Sequence, residues 1–207
     1  MKSEIEIRFN SNLERVEHLV ALYETATTGP GRRPVDTSDI LRSAVVFLHA
    51  TLEDFLRSLL EWKLPTAQAL YLKDIPLTGK KPRSSFTLDD LAHFRGSNVD
   101  DLISRSVADH LERSNLNDPG AVGSVLESIG LMRSLLDPYR DKLGPMMKRR
   151  HWIVHRADRN KATGSGQHAA LGLQKATVET WSEAVSQFGT SVLNQFQTKE
   201  PANDNPR

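Results

Sequence analysis

Apolar residues recur at spacings of three and four along most of this chain, which is the period of an amphipathic α-helix. Two such runs open the sequence and predict a first helix over residues 10–27 and a longer second helix that ends near Lys63. Asp36 or Ser38 can cap the start of the second helix. Apolar positions cover most of its circumference, so we expect this helix to lie at the centre of the fold.

The middle of the chain is less regular. Residues 65–85 are rich in Pro, Gly and Lys, and only short helical runs follow up to residue 129. We interpret residues 65–130 as a helical insertion, or lid-like helices, between the second helix and a later one. That later helix opens at Asp137 and extends to about Arg156, and it can break at Gly144 and Pro145.

A last helix is predicted from apolar residues spaced by three and four between Val178 and Phe196. Residues 198–207 are polar and are predicted to form a disordered tail. No alternation of β-branched residues indicates a sheet. The sequence therefore predicts an all-α fold, with one helical domain over residues 1–197.

Composition and the length of the apolar stretches limit the class of protein that this chain can be. The chain has 207 residues, of which 38% are hydrophobic, so it can bury a substantial core. It has no cysteine, which excludes disulfides, thiolate metal sites and cysteine nucleophiles. No apolar stretch is long enough to span a bilayer or to form a signal peptide, so the sequence predicts a cytoplasmic protein without membrane insertion.

Charge is concentrated late in the chain. Residues 140–161 contain eight basic and two acidic residues, a net charge of +6, whereas the whole chain carries only +1. The remainder is therefore acidic. A local positive field on an acidic body indicates an anion site, and phosphate is the commonest polymeric anion.

Within this basic segment, the spacing of Arg150, His151 and His155 places their side chains close together on a helix. The two histidines lie one helical turn apart on one face, and Arg150 adjoins that face. Histidine transfers protons near neutral pH, and arginine stabilises phosphate charge, which suits RNA cleavage by attack of the 2′-hydroxyl without a metal or other cofactor. Neighbouring basic residues are predicted to bind RNA phosphates: Lys148, Arg149, Arg156 and Arg159.

The segment RRHWIVHRAD, residues 149–158, resembles the R-x4-6-H motif of HEPN ribonucleases. The second helix, with VVFLHATLEDFLR at residues 45–57, is similar to the long helix that precedes this motif in HEPN proteins of the RNase LS and RiboL-PSP types. The resemblance implies an HEPN-like helical bundle with Arg150 and His155 as the catalytic pair and His151 as the accompanying polar residue.

The resemblance also implies a homodimer in which two motifs form one composite cleft, and endonucleolytic cleavage that leaves a 2′,3′-cyclic phosphate. Toxin–antitoxin, phage-defence and RNA-processing systems are the settings that it implies, with an antitoxin or another protein as a further partner. Some HEPN toxins carry a tyrosine two residues after the histidine as a site of modification. Here that position is Ala157, so this mode of regulation is not expected.

Other interpretations of these residues stay open at this point. The basic segment can be a solvated helix end, and His151 and His155 have metal-ligand spacing but no evident third ligand. A non-catalytic HEPN module that binds RNA, a nucleotide or a protein through the same surface, and a purely structural helical dimer, are the alternative functions.

A polar line on the second helix, formed by His49, Glu53 and Arg57, admits two interpretations. The three side chains can satisfy one another as a structural network, which we favour. Alternatively, His49 and Glu53 support the site by orienting the catalytic histidine.

Overall fold

The computed structural model describes residues 1–27, 35–79, 87–159 and 170–196. Its eight α-helices are α1 (Lys2–Ala26), α2 (Val35–Lys63), α3 (Ala69–Leu72), α4 (Leu88–Ala92), α5 (Val99–Glu112), α6 (Pro119–Ser128), α7 (Arg140–Arg156) and α8 (Lys175–Asn194). Short 3₁₀ helices occur at Leu64–Thr66 and Arg133–Tyr139. These described residues include no β-strand, and the predicted all-helical fold is confirmed.

The second helix is the central element, as its apolar pattern predicts. Helix α2 packs against α1, α7 and α8, and also contacts α5 and α6. Leu41, Val45, Leu48 and Leu56 on this helix are fully buried. Because several helices surround α2, only a narrow part of its surface remains for polar residues.

Helix α1 begins eight residues earlier than the sequence analysis predicts. Ile5 and Phe9 continue its apolar series toward the N-terminus, and both are buried. Helix α2 begins at Val35, so the expected capping residues Asp36 and Ser38 both lie inside the helix. In each case the helix extends beyond the predicted boundary.

Helix α7 runs through Gly144 and Pro145 without a break. Proline removes one backbone hydrogen bond and costs roughly 3 kcal/mol inside a helix. Leu143, Met146 and Met147 lie on the core side of this helix and are at most 2% exposed. Their burial offsets the cost of the proline, because each fully buried side chain of this size contributes about 1.5–3 kcal/mol to the stability of the fold.

The region interpreted as an insertion divides into two parts. Val107 and Leu111 of α5 and Val122 and Leu126 of α6 are buried in the same apolar cluster as α2 and α8. Helices α5 and α6 are therefore parts of the bundle and not a lid over it. Helix α4 is more peripheral, since its Leu88 is 85% exposed.

The predicted tail at residues 198–207 lies outside the described residues. Within the described residues, no helix is both long and apolar enough to cross a lipid bilayer.

Helices α1 and α8 approach each other closely at Gly189, which gives a stability prediction. A Cβ atom at Gly189 would lie 2.4 Å from Cε1 and Cζ of Phe9, a buried ring that also packs against Phe55. We expect Gly189→Ala to lower the free energy of unfolding by about 2 kcal/mol in urea denaturation, because overpacking costs more than the gain in helix propensity.

Gly144→Ala in α7 is the matched control for Gly189→Ala. The nearest atom to a Cβ at Gly144 is Cγ of Pro119 at 3.5 Å, an ordinary contact. This substitution should leave stability unchanged or raise it by up to about 1 kcal/mol. Equal effects of the two substitutions would contradict the close approach of α1 and α8.

Candidate active site at the end of helix α7

His151 and His155 lie side by side near the C-terminal end of α7. Their ring centroids are 4.6 Å apart with an interplanar angle of 46°, and both residues are exposed. This contact follows from the helix, because residues four apart are neighbours on its surface. Two solvent-accessible imidazoles therefore share one surface, as the sequence spacing predicts.

Arg150 is directed toward the neighbouring part of the bundle. It is half-buried, and its Nη1 donates to Oδ1 of Asn117 at 3.4 Å. Its Nε is buried and has no hydrogen-bond partner among the described residues. Asn117 belongs to the segment between α5 and α6, 33 residues before Arg150, and nothing in the sequence links the two.

The second helix supplies a buried histidine beside Arg150. His49 is 1% exposed, and its pKa falls from 6.5 to about 4 because burial and the positive charge of Arg150 both disfavour the protonated form. Glu53 and a hydrogen bond with the backbone of Leu116 raise the pKa of His49, but their effect is smaller. His49 is therefore neutral at physiological pH.

In the polar line on α2, Glu53 and Arg57 are hydrogen-bonded to each other, whereas His49 is not bonded to Glu53. Glu53 Oε1 accepts a hydrogen bond from Arg57 Nη2 at 2.8 Å, whereas its Oε2 is 3.7 Å from His49 Nδ1, too far for a hydrogen bond. Arg57 also donates to the backbone carbonyls of Leu111 and Ser114. Arg57 thus ties α2 to the end of α5, whereas His49 Nδ1 has no hydrogen-bond partner among the described residues, so the three side chains do not fully satisfy one another.

Arg149 differs from the other basic residues of this segment. Its Nη2 lies 2.7 Å from Asp158 Oδ2 and 2.8 Å from the carbonyl oxygen of Leu171, and its side chain is only 13% exposed. These contacts give Arg149 a structural role, and we no longer assign it to phosphate binding.

The remaining predicted phosphate-binding residues are Lys148, Arg156 and Arg159, and all three are exposed. Lys148 Nζ lies 5.1 Å from the ring centroid of Trp152. Arg156 and Arg159 lie at and just beyond the end of α7, close in sequence to His155.

A buried ion cluster holds the end of α7. Asp158 is fully buried, and its Oδ2 accepts from Arg149 and, at 2.8 Å, from Nε of Arg42 on α2. Ala157 and Asp158 adopt positive φ angles of 47° and 54°, which end the helix and turn the chain inward. Nothing in the sequence distinguishes Asp158 or Arg42, because a single buried carboxylate leaves no periodic pattern.

Metal-ligand spacing of the two histidines was one of the open alternatives. In the described part of the chain, no three side chains among His, Asp and Glu come together in a way that could hold a metal ion.

The buried neutral state of His49 predicts a pH dependence of stability. Below pH 6.5 the unfolded chain protonates this histidine, whereas the folded protein does not until about pH 4. Stability is therefore lost as the pH falls from 6.5 to 4, by up to about 3 kcal/mol from this group. Urea denaturation at pH 7 and pH 4.5 measures the loss.

His49→Gln is the control for this pH dependence, since glutamine cannot titrate. The variant is expected to be less stable than the wild type at pH 7 but to lose less stability between pH 7 and pH 4.5. Equal losses in the two proteins would show that His49 is not held neutral by the fold.

No protein-family model, curated protein or solved structure matches this chain. The resemblance to HEPN ribonucleases thus stays a prediction carried by the sequence of α2 and α7.

Proposed function

We propose that this protein is a metal-independent endoribonuclease that cleaves RNA by attack of the 2′-hydroxyl on the adjacent phosphate. The observation that carries the proposal is the exposed His151–His155 pair, with ring centroids 4.6 Å apart, on the helix that also carries the half-buried Arg150. Such a set combines proton transfer with a fixed cation.

Each residue has a distinct role in this reaction. His155 takes the proton of the 2′-hydroxyl as the O2′–P bond forms and returns it to the 5′-oxygen as the P–O5′ bond breaks, and His151 provides the accompanying polar group beside it. Arg150 stabilises the negative charge that builds up on phosphorus-bound oxygens, because the guanidinium fork matches phosphate geometry. Lys148, Arg156 and Arg159 hold neighbouring phosphates by charge, since all three are exposed next to the motif.

A homodimer with a composite cleft is part of the proposal. Two exposed apolar residues support an interface: Val154, which precedes His155, is 48% exposed, and Phe47 on α2, which lines a groove with Ile153 and Ala157 of the α7 end, is 39% exposed. Burying them against a second copy would place two copies of the motif near one cleft. Toxin activity or phage defence, with an antitoxin or another protein as partner, belongs to the same proposal.

The decisive experiment is an RNA cleavage assay without available metal. Purified protein is incubated with end-labelled single-stranded RNA in EDTA, and the products are tested for a 2′,3′-cyclic phosphate. We expect cleavage with that terminus. Binding of RNA without cleavage would favour the non-catalytic RNA-binding module instead, and a protein that neither binds nor cleaves RNA would contradict both of these RNA functions.

The composite cleft is tested by light scattering and by Val154→Asp. The wild type is expected to be a dimer at micromolar concentration, and Val154→Asp to shift it toward monomer and lower its activity. A fully active wild-type monomer would contradict the composite cleft while leaving the catalytic residues intact.

A further inference from the structure

The segment between α5 and α6, residues 113–118, contacts Arg150 through Asn117, a residue that the catalytic assignment above does not use. Its residue Asn117 is exposed and lies within hydrogen-bond distance of the guanidinium. Arginine has only donors, so the amide oxygen must face it, and the Asn117 NH₂ group is directed elsewhere. That group is available to a ligand bound at Arg150.

The backbone of this segment is held at several points. Arg57 donates to the carbonyls of Leu111 and Ser114, and Leu116 is buried in the core at 7% exposure. At the other end, Asp118 Oδ1 caps α6 by accepting from the backbone N–H of Ala121 at 3.0 Å. Asn117 therefore lies between two anchored positions, which limits its movement relative to α7.

Arg150 retains unused donor capacity on its own side of the contact. Its Nη1 faces Asn117 at 3.4 Å, near the upper limit for a hydrogen bond, and its buried Nε has no partner among the described residues. The buried Nε is not accessible to a ligand from solvent, whereas the contact of Nη1 with Asn117 is exposed and long. A phosphate placed beside Nη1 would supply a stronger, charged acceptor.

We propose that Asn117 is a positioning residue for Arg150 and donates from Nδ2 to the RNA phosphate that this arginine binds. The proposal rests on the ribonuclease function proposed above and extends its anion site to the segment between α5 and α6. In this arrangement the polar line on α2 acts through Arg57, which holds the segment that carries Asn117.

Binding is measured in a His155→Ala background, which prevents cleavage of the probe. Fluorescence anisotropy with a labelled single-stranded RNA oligonucleotide should show that Asn117→Ala raises the Kd about tenfold, the effect of losing one charge-assisted hydrogen bond. Asn117→Asp should raise it further, on the order of 100-fold, because a carboxylate competes with phosphate for Arg150.

Asn115 provides the matched control, since it is exposed in the same segment. Asn115→Ala should leave the Kd within about twofold of the parent. The salt dependence gives a second readout: Asn117→Asp should reduce the slope of log Kd against log salt by about one phosphate contact, whereas Asn117→Ala should not. Equal Kd values for Asn117→Ala and Asn115→Ala would overturn the proposal.

A measurement without RNA separates this proposal from the ribonuclease function. In ¹⁵N NMR, the Nε–Hε signal of Arg150 should shift or broaden in Asn117→Ala but not in Asn115→Ala. If the wild type neither binds nor cleaves RNA, the ribonuclease function fails, and titration with inorganic phosphate then tests the anion site directly. An Arg150 signal that is the same in both variants would overturn the positioning role.

Arg57→Met tests how the segment is held. If Arg57 acts through the segment, Arg57→Met should raise the Kd for RNA, and combining it with Asn117→Ala should have less than the summed effect. Thermal unfolding verifies that each variant is folded. Fully additive effects would show that Arg57 does not act through Asn117.

Discussion

Asp158→Asn is expected to lower the free energy of unfolding by about 3–5 kcal/mol, the typical cost of breaking a buried ion pair. Asp158 is fully buried, and Arg42 and Arg149 converge on its Oδ2 at 2.8 and 2.7 Å. Asparagine has nearly the same shape and tolerates the positive φ of this position. The loss should therefore report the missing charge, which leaves Arg149 without a counter-ion and Arg42 with only the exposed Asp39.

Asp39→Asn is the matched control, because Asp39 contacts the same arginine at 3.0 Å from an exposed position. We expect a loss of at most about 1 kcal/mol for this exposed pair. Adding Arg149→Met to Asp158→Asn should recover part of the stability by removing one unpaired charge. Similar losses for Asp158→Asn and Asp39→Asn in urea denaturation would contradict the importance of the cluster.

The ion cluster also matters for the candidate site. Asp158 follows His155 by three residues, and its contact with Arg42 fixes the end of α7 to α2. A variant that loosens this end would shift His155 as well. We therefore expect Asp158→Asn to reduce ribonuclease activity even at temperatures where the protein remains folded.

His155→Ala is expected to reduce the rate of RNA cleavage roughly 100- to 10,000-fold, the range for loss of a general acid or base. Its side chain is exposed, so the substitution should leave the fold intact. Arg150→Lys keeps the charge but loses the guanidinium fork, and it should lower the rate with a smaller effect. The rates are measured at saturating RNA in EDTA, so that binding and metal contamination do not contribute.

His18→Ala serves as the control for the histidine substitution. His18 is an exposed histidine on α1, outside the motif helix, and its replacement should not change the rate. Thermal unfolding of each variant shows whether a lower cleavage rate results from loss of folded protein. If His155→Ala and Arg150→Lys both cleave RNA at the wild-type rate, the assignment of these residues is contradicted.

Much of the fold was predictable from the spacing of apolar residues. The positions of α1, α2 and α8 follow from runs at three and four, since each helix must bury one face, whereas α5 and α6 were predicted only as short helical runs. The errors concern boundaries and interruptions. Pro145 predicts a break by its local chemistry, but burial of Leu143, Met146 and Met147 keeps α7 intact, and burial depends on neighbours that a local pattern does not contain.

Part of the candidate site was predictable from local spacing in the sequence, and part of it was not. The contact between His151 and His155 was predictable, because residues four apart in a helix are neighbours whatever surrounds them. The role of Arg149 was not, since its basic neighbours suggest phosphate binding while its partner Asp158 lies beyond the helix end. Only the positive φ turn brings that carboxylate back beneath the arginine.

The sequence alone predicts an all-helical chain with a basic motif helix and a pair of histidines on one face of that helix. These features depend on local spacing, which the period of the helix converts directly into geometry. The tertiary structure decided which cations are buried in ion pairs and which remain exposed, and it placed His49 and Asn117 beside Arg150. Those contacts join residues 33 or more positions apart, so they depend on how the helices pack.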